Sequence, residues 1–206
     1  MISLLLPVSM PLTTYDQIAH RYDTSMRRFE RWWLGDLRAQ TLSLLPPNSR
    51  ILEIGAGTGP NFVFYPPGSS GAATEKSSEM LRFAREKPRP TQVSLVQNCA
   101  EELPFSDSSF DVAFATLVFC SVQSPVRAFE ELRRVVKRGG TVILLEHVRP
   151  GGLLGPLFDL LNFVIQPLFE DHFNRRTAET ARAAGFAVVD VRTHAWGIVN
   201  LITCRV

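Results

Sequence analysis

The chain has 206 residues, 45% of them hydrophobic and 20% charged, which is typical of one compact domain with a substantial core. Its 22 basic and 20 acidic side chains give a net charge of +2, too small and too scattered to indicate a nucleic-acid partner. The three cysteines lack CxxC or zinc-type spacing, so they predict reduced thiols rather than a disulfide framework or a metal site.

The first residues lack the marks of a targeting signal. Their apolar run, MISLLLPVSMP, has no basic start and no A-x-A cleavage site, and it is too short to span a bilayer. We therefore predict a flexible N-terminal arm over residues 1–13, with Met10 as an alternative start. A single domain over residues 14–206 and a cytoplasmic location follow from the same observations.

Helical spacing and short apolar runs alternate along the rest of the chain, as in a layered α/β fold. Residues 14–45 predict two helices that cap the domain. Five apolar runs predict buried, mostly parallel strands at Arg50–Ile54, Gly71–Thr74, Val93–Gln97, Phe110–Thr116 and Thr141–His147. Further helices are predicted at Ser77–Glu86, Pro125–Lys137 and Arg175–Ala184, and a closing pair of strands at Ala187–Arg192 and Ile198–Arg205. The expected fold is a Rossmann-like, mostly parallel seven-stranded sheet with helices on both faces and a C-terminal antiparallel hairpin.

A glycine loop, GAGTG, follows the first strand. Its alternating Gly55, Gly57 and Gly59 permit positive φ angles and close backbone approach, so a ligand can lie directly on main-chain N–H groups. Open parallel sheets bind ligands beyond the carboxyl ends of their strands, which is where this loop lies. A plain strand-to-helix turn rarely needs three such glycines, so the choice is between a dinucleotide and a nucleoside without phosphates.

The residues around the loop favour the nucleoside. Pro60 occupies the third small position of a dinucleotide fingerprint, and Pro66-Pro67 ends the following helix after about Tyr65, so a pyrophosphate cradle is poorly supported. Glu75, at the end of the second strand, can accept hydrogen bonds from ribose hydroxyls. Glu53 is placed for a cationic group or for fixing the loop backbone. An adenosine ligand with a positive charge and no phosphate fits better than NAD.

An ordered series of motifs carries a resemblance to a known family. EIGAGTG, TEKS, AEELPFSDSSFDVAFA and KRGGTVILLEH resemble the class I S-adenosylmethionine-dependent methyltransferases over about residues 15–206. The resemblance implies S-adenosylmethionine as the cofactor and S-adenosylhomocysteine as the product. It also implies that Glu75 holds the ribose and that Asn98–Glu101 flanks the adenine, although Cys99 stands where many relatives carry Asp. The implied cofactor-binding residues are Tyr15, Glu53, Gly55, Gly57, Thr58, Gly59, Glu75, Lys76, Met80, Cys99, Ala100, Glu101, Thr116 and Val118.

Two residues are candidates for catalysis. Tyr22 lies seven residues after Tyr15, two helical turns away, and the resemblance implies that this segment closes over the cofactor and lines the acceptor site. His147 ends the fifth strand, after Glu146, and strand ends of such sheets face the crevice, so it is a candidate base or acceptor-orienting group. His172 is a weaker candidate base. Neither of the two pairs of an acidic residue and a histidine, Glu146-His147 and Asp171-His172, has the spacing of a metal site.

The methyl acceptor is left open by the sequence. TLVFCSV after the fourth strand and NFVFYPPG in the glycine loop resemble thiol S-methyltransferases of the methyltransferase-like group, then bacterial phosphatidylethanolamine N-methyltransferases and quinone-biosynthesis C-methyltransferases. A small or lipid-like acceptor is expected, with a thiol or an amine favoured. The remaining alternatives are a non-catalytic adenosyl-cofactor binding module and an NAD-dependent dehydrogenase.

An apolar insert at residues 151–173 has only Asp159 charged before Glu170. Its helix is apolar on nearly every side, which predicts a contact beyond the sheet edge, with an apolar acceptor, a membrane surface or a partner subunit. Residues 27–34, RRFERWWL, place basic residues beside two tryptophans, a composition suited to a lipid headgroup boundary. A peripheral membrane contact is therefore a hypothesis, and a monomer or weak dimer is expected.

Overall fold

The N-terminal helices form one continuous helical segment. The computed structural model describes residues 13–152, 154–169, 172 and 174–206. Helix α1 (Thr14–Phe29) starts at a capping box, in which the Thr13 N–H donates to the Asp16 carboxylate at 2.7 Å and the Thr13 side chain accepts from the Asp16 N–H. Five π-helical residues, Glu30–Leu34, join α1 to α2 (Gly35–Leu42) without a break. Apart from Thr13, the predicted arm lies outside the described residues.

The centre of the protein is a seven-stranded sheet of order β3-β2-β1-β4-β5-β7-β6. The strands β1 to β5 pair in parallel, and β7 pairs antiparallel with both β5 and β6, so the predicted mostly parallel sheet with a C-terminal antiparallel hairpin is confirmed. The strands are β1 Arg50–Ile54, β2 Ser70–Glu75, β3 Val93–Gln97, β4 Phe110–Thr116, β5 Val136–His147, β6 Ala187–His194 and β7 Val199–Arg205. The remaining helices are α3 Ser78–Arg85, α4 Pro125–Val135, α5 Leu154–Phe169 and α6 Thr177–Ala183.

Alternate residues of the central strands point into two apolar cores. Leu52, Ala113 and Leu144 belong to the core that holds the buried faces of α4 and α6. Their neighbours Ile51 and Phe114 belong to the core beneath α2 and the π-helical turn on the other face. Because both faces are covered by helices, the strands are apolar on both sides, which is why they read as continuous hydrophobic runs.

Several elements differ from their predicted bounds, and two of the differences change the type of structure at a residue. The helix predicted over Pro125–Lys137 ends at Val135, and Val136 already pairs with Phe110 as the first residue of β5. The basic residues of its last turn are therefore Arg133 and Arg134, which suit the negative end of the helix. The helix predicted after the glycine loop is reduced to one 3₁₀ turn, Phe62–Phe64, because Pro66 and Pro67 follow at once.

The predicted apolar insert contains α5. An ion pair between Arg149, which follows β5, and Asp159 of α5, at 2.8 Å, connects the helix to the segment that precedes it. Residues 153, 170, 171 and 173 of the insert lie outside the described residues. Within the described part of the chain, no helix is both long enough and apolar enough to cross a membrane.

Candidate active site

One large cleft opens at the carboxyl ends of β1, β2 and β4 and is roofed by α1. The space between its walls, the open solvent at its mouth included, is about 1020 Å³. Twelve of the residues predicted for the site line this cleft: Tyr15, Tyr22, Gly55, Gly57, Glu75, Lys76, Met80, Cys99, Ala100, Glu101, Thr116 and Val118. Glu53, Thr58, Gly59 and His147 do not line it.

The glycine loop passes close to the loop that follows β4. A Cβ on Gly55 would lie 2.4 Å from Cγ2 of Val118, and the φ angle of Gly55 is +67°. Only glycine fits there, because any side chain would collide with Val118 in a backbone region that other residues avoid. Gly57 also has a positive φ, +56°, but a Cβ there would meet no atom within 4 Å. The backbone at Gly57 is therefore open to a ligand in the cleft.

Glu75 links the end of β2 to the glycine loop. Its Oε2 accepts a hydrogen bond from the Gly57 N–H and its Oε1 accepts one from the Ser77 N–H, both at 2.8 Å. Burial raises the pKa of the Glu75 carboxyl, while these two N–H donors lower it. The carboxylate lines the cleft with its lone pairs only partly used, so it can also accept hydrogen bonds from a diol.

The segment after β3, Asn98–Glu101, also lines the cleft, and the Asn98 N–H donates to the Glu75 carbonyl at 2.9 Å. The Glu101 Oε1 accepts hydrogen bonds from the N–H groups of Gln123 and Ser124, at 2.9 and 3.2 Å, and so joins this wall to the start of α4. Cys99 is half-buried here and is not part of a disulfide. The side chain of Met80, which is buried on α3, completes a mostly apolar slot suited to a flat base.

Two tyrosines of α1 lie over the cleft. The rings of Tyr15 and Tyr22 meet edge to face, with centroids 6.5 Å apart, and both line the cleft. Burial raises the pKa of Tyr22, so its phenol stays protonated at neutral pH and can orient a ligand but cannot act as a base there. Asp16 hydrogen-bonds Ser77 at 2.6 Å and thereby fixes α1 against the start of α3.

A buried arginine, Arg38 of α2, lines the end of the cleft next to Thr116. Its guanidinium donates to Glu30 at 2.9 Å, to the Asn61 side chain at 3.0 Å and to the Thr116 hydroxyl. The side chain of Arg38 is only 3% exposed, so this is a fixed positive charge at the cleft wall rather than a surface arginine.

Arg38 is not among the site residues predicted from the sequence, although the sequence contains a signal for it. Leu34, Leu37 and Thr41 are buried on the same helix, and Arg38 lies four residues after Leu34 and three before Thr41. Helical spacing therefore places Arg38 on the buried stripe, where an arginine needs partners. Asn61 was missed as well, because nothing in the sequence around it indicates the contacts with Arg38 and Glu53.

Glu53 lies under the glycine loop and not in the cleft. It accepts hydrogen bonds from the Asn61 amide at 2.6 Å and from the Tyr65 hydroxyl, and it is fully buried. Burial raises the pKa of Glu53 to about 7 despite these donors and the nearby Arg38. Through Asn61, which also donates to Thr116 at 2.9 Å, Glu53 supports the loop backbone and the end of β4 from below.

The other predicted residues outside the cleft lie close to it. Thr58 is buried and donates to Asp23 of α1 at 2.5 Å, so it closes the roof onto the glycine loop. His147 lies at the end of β5 opposite Val199, and burial lowers its pKa. Its neighbour Glu146 accepts hydrogen bonds from the N–H groups of Val118 and Phe119 at 3.0–3.1 Å, and thus holds the loop that packs on Gly55.

Among the residues that the structure describes, no group of three or more histidine, cysteine and acidic side chains could hold a metal ion. The candidate site is thus a cleft with a glycine-loop floor, an acidic group at the end of β2 and one buried cation at the end of β4. Its residue assignments stay predictions, and the structure brings most of them to one place.

The sequence is similar to known methyltransferases. The methyltransferase domain family matches residues 52–144, which include the glycine loop and strands β2 to β4. Thiol S-methyltransferase TMT1B of Rattus norvegicus is 33% identical over 152 residues, 68% of this chain and 61% of that protein. Phosphatidylethanolamine N-methyltransferase of Cereibacter sphaeroides is 30% identical over 139 residues, 61% of this chain and 68% of that protein. The match thus spans less than two thirds of the thiol S-methyltransferase.

A solved structure has the same fold along most of its length. A SAM-dependent methyltransferase of Thermotoga maritima superimposes with a TM-score of 0.64 and 25% sequence identity, over 90% of this chain and 98% of that chain. The similarity covers nine tenths of this chain, so it extends well beyond the glycine loop.

Proposed function

We propose that the chain, which belongs to the S-adenosylmethionine-dependent methyltransferases, transfers the methyl group of this cofactor to the sulfur of a small apolar thiol. S-adenosylmethionine is the cofactor of the family, and when bound it supplies an electrophilic methyl group on a positively charged sulfur. The acceptor is the new part of the proposal, and one observation carries it: at the end of the cleft near Thr116, the described lining residues offer a buried arginine and a neutral tyrosine but no free carboxylate or histidine.

The residues that line the cleft are consistent with one orientation of the bound cofactor. Glu75 would accept hydrogen bonds from the ribose hydroxyls, and the slot beside Cys99 and Met80 would hold the adenine. The open backbone at Gly57 would lie under the methionine part. Arg38 is the one cation close to Thr116 among the described lining residues, so we assign it to the methionine carboxylate.

The lack of a free base among the described residues at this end of the cleft favours a thiol over an amine. An ammonium group must lose a proton before it can attack a methyl group, and the described lining residues near Thr116 offer no free carboxylate or histidine to accept that proton. A thiol has a pKa near 8.5 in water, so part of it is already the reactive thiolate at neutral pH. No general base is then required, which agrees with Glu75 and Glu101 being engaged by backbone N–H groups and His147 lying outside the cleft lining.

The protein would contribute alignment and a dry environment to the reaction. Tyr22, Leu117 and Val118 line the cleft around Thr116 and present mostly apolar surface, which suits an alkyl thiol and excludes water. Leu117 has a positive φ of +59°, and its N–H donates to the Leu145 carbonyl at 2.7 Å, so the loop is held in this shape by the neighbouring strand. The neutral Tyr22 hydroxyl can orient the acceptor.

The test is a panel of methyl acceptors incubated with S-adenosylmethionine labelled in its methyl group. Alkyl thiols, phosphatidylethanolamine in liposomes and quinone precursors are compared, and the product is identified by mass spectrometry. We expect a thioether and an equal amount of S-adenosylhomocysteine from the thiols. Turnover of the amine or the quinone precursor in place of thiols would overturn the acceptor. Turnover of none, together with tight S-adenosylhomocysteine binding, would favour a non-catalytic binding module.

A second readout separates the acceptor from the cofactor. Thiol methylation should rise with pH as the thiol ionises, with an apparent pKa near that of the free thiol, because the described lining residues near Thr116 offer no free carboxylate or histidine as a base. A rate that does not change between about pH 6 and pH 9 would contradict a thiol acceptor that ionises without a general base.

A further inference from the structure

We propose that the protein docks on anionic membrane surfaces through one exposed face beside the cleft, an inference that rests on the proposed function because it says where an apolar acceptor enters. We call this surface the docking face and define it by Ile18, Arg21, Ser25, Arg28, Phe29 and Trp32 of the N-terminal helical segment, with Trp196 of the turn between β6 and β7. Such a contact lets a membrane-dissolved acceptor reach the cleft without crossing bulk water.

Large apolar side chains are exposed along one side of α1 and the π-helical turn. Ile18 is 40% exposed, Phe29 43% and Trp32 76%. Ile18, Arg21, Ser25, Phe29 and Trp32 follow one another at three- and four-residue intervals and Arg28 adjoins Phe29, so they share one face of the helix. Tyr15 and Tyr22 of the same helix line the cleft. The segment therefore presents an exposed amphipathic surface directly beside the side that lines the cleft.

The exposed charges of this segment are mostly positive. Three of its four acidic residues are engaged within the protein, since the Ser77 hydroxyl donates to Asp16, Asp23 pairs with Lys87 at 2.6 Å and Glu30 pairs with Arg38, and the fourth, Asp36, is exposed. Its four exposed arginines, Arg21, Arg27, Arg28 and Arg31, form no ion pair with any residue that the structure describes. The outward charge is therefore positive, although the whole chain carries only +2. Arginines beside a tryptophan are the composition that binds anionic lipid headgroups.

Trp196 lies at the same edge of the sheet as the cleft. It belongs to the turn before β7, whose first residue, Val199, pairs with His147 at the carboxyl end of β5. Trp196 is 89% exposed and has a φ angle of +55°, directly after Ala195 at +49°. Two successive non-glycine residues in the left-handed region cost conformational free energy. In this turn, that backbone conformation leaves the aromatic ring of Trp196 exposed to solvent.

A third apolar surface starts from the same edge. Helix α5 follows β5, and its residues Leu154, Leu157 and Leu160 are exposed at three-residue intervals. Apolar side chains from three separate elements thus surround the carboxyl edge of the sheet. Unpaired arginines among them favour a lipid surface over a second copy of this chain, which would present the same positive charge.

The experiment is co-sedimentation with vesicles of phosphatidylcholine, alone or mixed with phosphatidylglycerol. We expect binding to the mixed vesicles only, weakening as salt is added. Arg21→Glu with Arg28→Glu should reduce binding at least about tenfold, since each arginine contributes on the order of 1 kcal/mol at an anionic surface. Trp32→Ser and Trp196→Ser should each reduce it as well, and each should lessen the blue shift of tryptophan fluorescence that vesicles cause.

The matched control reverses two arginines at the far side of the molecule. Arg138 at the start of β5 and Arg182 on α6 are also exposed and form no ion pair with any described residue, so Arg138→Glu with Arg182→Glu changes net charge equally. Every variant is also assayed for methylation of a water-soluble thiol without vesicles, which should stay at the wild-type rate. This assay keeps a failure of the proposed function distinct from a failure of docking.

Three outcomes would overturn the docking face. The wild-type protein could stay in the supernatant with both vesicle types, or the control pair could lose as much binding as the Arg21 and Arg28 pair. The protein could also prove to be a dimer that Trp32→Ser dissociates in the absence of lipid, in which case the face is a contact between copies.

Discussion

The Glu75 carboxylate accepts a 2.8 Å hydrogen bond from the backbone N–H of Gly57, so the end of β2 holds the glycine loop in place from the side. A second bond, from the Ser77 N–H, holds the start of α3 by the same carboxylate. One buried acidic group thereby sets the distance between the loop, the helix and the strand that surround the proposed ribose position.

Replacing this carboxylate tests the assignment of the ribose. Glu75→Gln keeps the size of the side chain but removes the charge and one acceptor atom. We expect the dissociation constant of S-adenosylhomocysteine, measured by calorimetry, to rise roughly 10- to 100-fold, because hydrogen bonds to a charged group are lost. Glu102→Gln, at an exposed position next to the cleft wall, is the matched control and should leave the affinity unchanged. Equal affinities of wild type and Glu75→Gln would refute the role of Glu75.

Replacing Arg38 alone, or Arg38 together with Glu30, should affect stability and cofactor binding differently. Arg38→Met leaves Glu30 without its partner, so we expect the free energy of unfolding in urea to fall by about 3 kcal/mol. Adding Glu30→Gln removes the unpaired charge and should restore much of that loss. It should not restore S-adenosylhomocysteine affinity, because the cation assigned to the methionine carboxylate is still missing. Recovery of both properties together would show that Arg38 acts on stability alone.

The pH dependence of stability should carry a contribution from Glu53. Its pKa is about 7 in the folded protein and near 4.5 when unfolded, so between these pH values the folded state holds the extra proton. The unfolding free energy then falls as the pH rises through this window, by roughly 3 kcal/mol at most. Burial also raises the pKa of Glu75, with the same sign, and lowers that of His147, with the opposite sign.

A comparison of wild type with Glu53→Gln isolates this contribution. Glutamine keeps an acceptor for Asn61 and stays neutral at every pH. Urea unfolding at pH 5 and pH 8 should show a smaller loss of stability with rising pH in the variant. Parallel pH curves for the two proteins would mean that Glu53 is ionised in the folded state over the whole range.

Alanine substitutions at Gly55 and Gly57 should separate the effect of steric crowding on stability from that of backbone strain. Gly57→Ala adds a Cβ in open space at a positive φ, so we expect a loss of about 1 kcal/mol in unfolding free energy. Gly55→Ala adds a collision with Val118 and should cost about 3 kcal/mol. Combining it with Val118→Ala should recover part of the difference. If the two single variants proved equally stable, the close approach of the loops would not constrain Gly55.

The sheet was predictable because each strand is a short apolar run beside a turn signal. The predicted strand Val93–Gln97 matches the structure, and β2 extends the prediction by one residue at each end. The boundary between α4 and β5 was not predictable, because Val135-Val136 is equally suited to a helix and a strand. The π-helical turn at Glu30–Leu34 has no sequence signal that we recognise.

The cofactor side of the cleft was more predictable than the acceptor side. Gly55, Gly57 and Glu75 lie within one strand-loop-strand unit, so local spacing brings them together. Arg38 and Thr116 meet only through tertiary packing across 78 positions. Glu53 was expected near a ligand, but strand alternation and the bonds from Tyr65 and Asn61 keep it beneath the loop.

The most direct test of the proposed active site is a crystal structure of the protein with S-adenosylhomocysteine. We predict the ribose hydroxyls on Glu75, the adenine between Met80 and Cys99, and the carboxylate on Arg38. Density for the ligand outside this cleft, or a reversed orientation with the adenine beside Arg38, would contradict the proposed active site.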